Sequence, residues 1–271
     1  MMKTLIYSVV IFLLFGTVLS AQEYAPDITR IRERGSLVVA QLPREQVPFF
    51  FRDNEGNWAG IDVELARGIA DGLGVDLEFN RNAQSFNDLV TIVANGDADI
   101  VISKLSRTST RAQLVQYSEP YIVLRQALMV NRLLLAEKVR DDEVDSFVRQ
   151  FTGSLGVVAN SSYAVFAGIN FPSATLVEYP TWDAVVEAVF SGEILAAYRD
   201  ELEIKKVIKS RPDSALNVKT VLLKDTRDPI AMALPWESSQ FAKWVNIYLE
   251  SQNLNLTVDK LLNQFELAAI E

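Results

Sequence analysis

The sequence predicts an α/β chain of two similar lobes, each an open sheet flanked by helices, with a ligand cleft between them. Three observations carry that reading. Short apolar runs such as Ser36 to Leu42 and Ala98 to Ile102 alternate with amphipathic segments, as buried strands do between covering helices. One helix-and-strand unit is repeated within the chain. A polar stretch, Ser103 to Tyr121, comes after a buried strand and carries hydroxyls, then Arg111, then a Pro-Tyr exit.

The repeat aligns Phe86 to Gly96 with Trp182 to Gly192 without a gap. Phe86, Leu89, Val90 and Val93 match Trp182, Val185, Val186 and Val189, the spacing of one apolar helix face, and each copy ends at a glycine suited to a left-handed stop. Each leads into an expected strand, Ala98 to Ile102 and Ile194 to Tyr198. The same offset sets Lys104 opposite Asp200, so both copies carry a charged residue just past the strand. Ligands of open α/β sheets sit at such strand ends, where backbone N–H groups converge. Arg111 from one lobe and Asp200 from the other suit the two poles of a zwitterion, with Ser103 and Ser106 beside the guanidinium. The plainer reading of this stretch is a capped surface helix with a solvated arginine.

In chain order, residues 1–21 read as an export signal: Lys3, an apolar core from Leu5 to Leu19, and a small-residue cleavage site. No cysteine lies at the junction, so a lipid anchor on cysteine is not expected. The remaining chain of about 250 residues is enough for two lobes of ordinary size. With no cysteine and no histidine there is no thiolate nucleophile, no disulfide and no serine-histidine catalysis. The net charge of −9, with no basic cluster, argues against nucleic acid as a partner.

A short helix from Asp27 to Arg34 precedes the first strand, Ser36 to Leu42, and Pro43 to Val47 then forms a loop bordering the cleft. Pro48 to Arg52 is expected as a strand and Asp53 to Gly56 as its turn. The helix opening at Gly60 has Asp62 as its expected N-cap. Val75 to Phe79 is a third strand. Ile122 to Val130 is expected to cross to the second lobe and Ile230 to Pro235 to return. The acidic run Asp141 to Val148 reads as a solvated face. Helices from Glu237 to Glu250 and from Val258 to Phe265 then pack back on the first lobe.

Together, Leu37-Val-Val, Pro48-Phe-Phe-Phe, Gly60-Ile-Asp62-Val-Glu64-Leu, Gly96-Asp-Ala-Asp-Ile-Val-Ile-Ser, Thr108-Ser-Thr-Arg111 and Tyr117-Ser-Glu-Pro-Tyr121 resemble the polar amino-acid-binding proteins of ABC importers, extracellular solute-binding family 3. The resemblance is dense from Leu37 to Tyr121 and thinner afterwards. It implies a type II periplasmic-binding-protein fold, two open sheets joined by two crossing strands, with lobe one spanning residues 22–124 and 231–271 and lobe two residues 125–230. It also implies a monomeric, non-enzymatic periplasmic protein without cofactor or metal. Such a protein closes on an amino acid and delivers it to a membrane permease. Carried over by position, Ser106 and Arg111 hold the ligand carboxylate with Ser103 and the Lys104 amide beside them. Ser162 closes on it from lobe two, Asp200 takes the ammonium and Phe86 walls the side chain.

Two positions depart from the family. Gln46 stands where an aromatic residue is usual, and Lys104 adds a positive charge where the family has a small residue. With Arg44 near by, an acidic or neutral ligand side chain is expected; alternatively Lys104 points into water, the usual place of a lysine. Other readings also remain open. One is a sensory binder serving a receptor or kinase, another an enzyme like the cyclohexadienyl dehydratases that resemble these binders. A fused lytic domain is not expected, since the sequence stops at residue 271.

Overall fold

The structure is a computed structural model and describes residues 24–140 and 144–270. The expected export signal, and the start of the acidic run, lie outside the described residues. Among them, no helix is long and apolar enough to cross a membrane.

The chain opens with α1 (Pro26–Arg34) and β1 (Ser36–Ala40), then a small hairpin of β2 (Phe51–Arg52) and β3 (Trp58–Ala59). Next come α2 (Ile61–Leu73), β4 (Asp76–Asn80), α3 (Phe86–Ala94) and β5 (Ile100–Val101), then a single 3-10 turn, Arg111–Gln113, and β6 (Val115–Tyr117). The second half begins with β7 (Ile122–Asn131), α4 (Arg132–Ala136) and α5 (Val144–Arg149). It continues with β8 (Ser154–Val158), α6 (Ser162–Asn170), β9 (Thr175–Tyr179), α7 (Trp182–Phe190), β10 (Ala196–Asp200), α8 (Glu201–Ser210) and α9 (Ser214–Asn217). The long β11 (Val218–Ile230) leads back to β12 (Ala233–Pro235), α10 (Ser239–Ser251) and α11 (Val258–Ile270).

Two five-stranded sheets result, ordered β4-β1-β5-β12-β6 and β11-β7-β10-β8-β9. In the first, β1 lies parallel to β4 and β5, so their carboxyl ends point to one edge. In the second, β10 lies parallel to β8 and antiparallel to β7. The strand β7 is buried over most of its length because its sheet is covered on both faces: Leu128 and Val130 join one core cluster, Ala127 and Met129 the other.

The sheets are joined by β7 and β11, which pair antiparallel from Ile122 opposite Ile230 to Asn131 opposite Val218. The return thus lies within β11, upstream of the segment expected from sequence. That strand is masked by its polar middle and by a break in register between Leu222 and Arg227.

Three further expectations need correction. Pro48 to Arg52 is strand only at Phe51–Arg52, because the chain before it closes a tight turn in which the Phe49 N–H bonds the Gln46 carbonyl at 2.7 Å. Gly60, not Asp62, is the N-cap of α2, and no side chain caps it. Asp62 is buried and its carboxylate accepts the Lys104 N–H at 2.7 Å and the Tyr121 hydroxyl at 2.9 Å. Finally, α11 does not rest on the first core alone. Leu261 and Leu262 join that core, but Phe265 lies 5.0 Å below the Lys206 ammonium of α8.

Candidate ligand-binding cleft

The two strand-end edges face each other, and the residues just past β5 and β10 meet between them. The chain leaves β5 through Lys104, which has a left-handed backbone, φ 46°, fixed by its N–H bond to Asp62. This turns the side chain across the gap. Its ammonium donates to Asp200 Oδ2 at 3.1 Å and to Glu203 Oε1 at 2.7 Å. On the facing side Asp200 ends β10 and caps α8, its Oδ1 accepting the Glu203 N–H at 3.1 Å. Glu203 Oε2 accepts from Lys206, which also donates to the Val47 carbonyl of the opposite loop at 2.9 Å.

Electrostatics holds Lys104 and Glu203 ionised. Burial pushes the Lys104 ammonium down, yet Asp200 and Glu203 outweigh it and hold it above the usual lysine value. Burial likewise pushes Glu203 up, but Lys104, Lys206 and Arg199 carry it well below the usual carboxylate range. Lys104 therefore does not point into water.

Beside this cluster lies a second one. The Ser162 hydroxyl, from the first residue of α6, donates to Ser106 Oγ at 2.9 Å and so ties the two sides together. The Tyr163 hydroxyl donates to Asp228 Oδ2 at 2.9 Å. Burial, with Asp200 near by, pushes the Asp228 carboxyl up to about 6 against the hydrogen bond from Tyr163 and the charge of Lys104. Arg111 opens the 3-10 turn, its N–H bonded to the Thr108 hydroxyl at 3.2 Å. Its guanidinium donates to Asn87 Oδ1 and to the Ser106 carbonyl, both at 3.1 Å. Burial lowers its proton affinity, partly offset by Tyr117 and Asp228.

Two cavities lie in the gap. The inner one, of about 10 Å³, is bounded by Phe86, Lys104, Ser106, Ser162, Asp200 and Asp228. The outer one, of about 270 Å³, has Phe86 and Trp182 among its walls, with Gln46, Arg199 and Lys206. Phe86 and Arg199 border both. Other grooves are as large, but here buried polar atoms without a hydrogen-bond partner collect: Gln46 Oε1, Arg111 Nη2, Trp182 Nε1, Arg199 Nε and Asp228 Oδ1. Such atoms are rare in a folded interior and point to a group the protein is built to receive.

Of the residues expected from sequence, Phe86, Lys104, Ser106, Ser162 and Asp200 surround the inner cavity and Gln46 the outer one. Arg111 sits behind Ser106. Ser103 is turned to the fold instead, its Oγ accepting the Leu42 N–H at 3.1 Å. The sequence alone does not mark Trp182, Arg199, Glu203 and Asp228 as site residues. Trp182 is legible as the repeat partner of Phe86, and Glu203 lies within a turn of Asp200; Asp228 has no such signal. Among the described residues no cluster of His, Cys, Asp or Glu is arranged to hold a metal ion.

Comparison with known proteins agrees with this geometry. The chain is 31% identical over 261 residues to the membrane-bound lytic murein transglycosylase F of Idiomarina loihiensis, covering 92% of this chain and 54% of that protein. It thus spans about half the length of that relative. A solved ancestral amino acid-binding protein, described as a precursor of cyclohexadienyl dehydratase, superposes with a TM-score of 0.69 at 25% identity, covering 89% of this chain and 99% of that one. A putative ABC-transporter binding component from Wolinella succinogenes, complexed with lysine, gives 0.67 at 27% identity, covering 84% and 94%. The fold is that of the type II periplasmic binding proteins. Residues 38–267 match the family profile, and the chain belongs to the bacterial extracellular solute-binding proteins, family 3.

Proposed function

We propose that this is an exported, monomeric solute-binding protein that captures a small carboxylate-bearing metabolite of amino-acid size and delivers it to the permease of an ABC importer. Lobe one comprises residues 22–124 and 231–271, lobe two residues 125–230, and the two hinge at the paired crossing strands. The observation that carries the reading is the buried, unpartnered Nη2 of Arg111 behind Ser106, with Ser162 closing from the facing lobe. The carboxylate sits on Arg111 and Ser106 in the open form, and closure brings Ser162 onto it. Hydrogen bonds to a charged group contribute about 1.5–3 kcal/mol each, so a few suffice for the ~8 kcal/mol of a micromolar site after closure costs. The amino-acid ligands named for the relatives support this size and chemistry.

The test is a ligand screen by thermal shift, since a ligand that binds only the folded state raises its melting point. Arg111→Ala is expected to lose the response to every carboxylate while keeping the native circular-dichroism spectrum. An undiminished response refutes the reading.

A second reading draws on the transglycosylase relative, in which a domain of this family accompanies a lytic enzyme. In it the closed form is read by a protein other than a permease. Pull-downs with and without ligand, from membranes that contain the neighbouring genes' products, separate the two.

A further inference from the structure

Resting on the capture reading above, we propose that the ligand's ammonium is received by Asp228, on the crossing strand β11, and not by Asp200, whose place as ammonium partner Lys104 has filled. A survey of the buried acids leaves one candidate. Both oxygens of Asp200 are engaged, Oδ2 by the Lys104 ammonium with Arg199 Nε at 3.6 Å, and Oδ1 by the Glu203 N–H. Both oxygens of Glu203 are engaged by Lys104 and Lys206. Asp62 is held by Tyr121 and the Lys104 N–H, Glu201 by Arg125 and Lys205, and Asp99 by Arg30 and Arg34. Among the described residues, Asp228 Oδ1 is the one buried carboxylate oxygen without a hydrogen-bond partner. An ionised carboxylate only accepts, so the group it lacks is a donor.

The opposite pole has its own vacant atom. Arg111 Nη2 is a buried cationic donor with no acceptor, and Asp228 is near enough to raise the proton affinity of Arg111, yet no ion pair joins the two. Between them lies Ser106, whose carbonyl Arg111 holds and which borders the inner cavity together with Ser162 and Asp228. An amino acid carries a carboxylate for Arg111 and an ammonium for Asp228 on one carbon. Oδ1 accepts a hydroxyl as readily as an ammonium, and the charge balance selects between them. The fully buried charges at the gap cancel, Lys104, Arg111 and Arg199 against Asp200, Glu203 and Asp228, so a headgroup of net zero charge enters without leaving one uncompensated. The Tyr163 hydroxyl fixes the other Asp228 oxygen at 2.9 Å, and Tyr163 follows Ser162 on α6. Asp228 itself pairs with Leu124 across the crossing strands. The ammonium subsite thus sits at the hinge, where both poles are gripped before Ser162 closes. At about 10 Å³ the inner cavity holds no more than a water, so entry requires Ser106 and Ser162 to part.

The common L-amino acids, tried singly by thermal shift, select the probe. The one that binds most tightly is then compared by calorimetry with the acid that has the same side chain and no ammonium, as 3-phenylpropanoate is to L-phenylalanine. The amino acid should bind the wild type about tenfold tighter or more, and Asp228→Asn, which keeps an acceptor for the Tyr163 hydroxyl, should cut that advantage to about twofold. A structural role alone weakens both ligands alike, so an unchanged ratio overturns the proposal, as does an equal affinity of the two ligands for the wild type. Should the variant not fold, proton exchange on the wild type decides. Asp228 is faced by Arg111, Lys104, Asp200, Tyr163 and Tyr198, and its carboxyl is about half protonated at about pH 6. Calorimetry at that pH in buffers of different ionisation heat should show proton release when the amino acid binds and uptake when the acid without an ammonium binds. Uptake, or no exchange, with the amino acid overturns the proposal. Binding of no amino acid overturns it too; an Arg111-dependent response to other carboxylates then leaves capture standing, and its absence refutes capture as well.

Discussion

The two helix-and-strand repeats make an internal experiment in how a shared local unit is put to different use. Phe86–Ala94 and Trp182–Phe190 both start after a hydroxyl N-cap, Ser85 or Thr181, and both stop before a left-handed glycine, Gly96 at φ 80° or Gly192 at φ 77°. Their first residues, Phe86 and Trp182, wall the outer cavity, and the residues at equal offset, Lys104 and Asp200, bond each other. The copies part company after the strand. The first turns through the left-handed Lys104 into an irregular loop, while the second runs straight into α8 with Asp200 as its cap. The segment downstream of each strand thus decides whether the strand's end residue reaches across as a tethered cation or stays at home as a capping anion.

The largest test removes that tether. Lys104→Met takes from Asp200 and Glu203 the buried ammonium they share, leaving them Arg199 and Lys206 alone, and denaturant titration should show a loss of about 3 kcal/mol. Adding Asp200→Asn should restore part of it; no restoration would mean the two charges act independently.

Next comes Asp62, which fixes the Lys104 turn. Burial is the largest cause of its shift, which carries its carboxyl from 3.8 up to about 7 against the bonds from Tyr121 and Lys104. Folding therefore favours the protonated acid. Its contribution is full below pH 4 and is lost as pH rises through about 7. Asp62→Asn should flatten the fall in stability between pH 4 and 7, and an unchanged slope would place the titration elsewhere, Asp228 first. Smaller again, Gly96→Ala and Gly192→Ala should each cost about 1–2 kcal/mol for a side chain in the left-handed region, by equal amounts if the copies are equivalent. The smallest difference is at the caps. Ser85 and Asp88 form a reciprocal capping box, whereas Thr181 bonds only the Ala184 N–H. Ser85→Ala should cost about 1 kcal/mol and Thr181→Ala somewhat less.

Most of the fold was legible because its signals are local. The apolar spacing of α3 and α7 and their terminal glycines belong to short segments, and the structure keeps both. The strand β11 was not, because Lys224, Asp225 and Asp228 interrupt any apolar run and its pairing with β7 is a long-range fact. The cleft divides along the same line. Ser106, Ser162, Phe86 and Asp200 could be placed from strand ends and the repeat. The fate of Lys104 could not, since one sequence position suits both a solvated lysine and a buried one. Only the facing pair of acids decides, and they arrive from the other half of the chain.

The last helix bears on motion. Since α11 is seated in the first core by Leu261 and Leu262 yet touches α8 through Phe265 and, at 3.9 Å, through Asp259 to Lys205, separating the halves has to drag α8 along its flank. The ring of Phe265 then serves as a bearing: paired spin labels at 205 and 259 should report a glide, while labels at 241 and 262 keep a constant spacing.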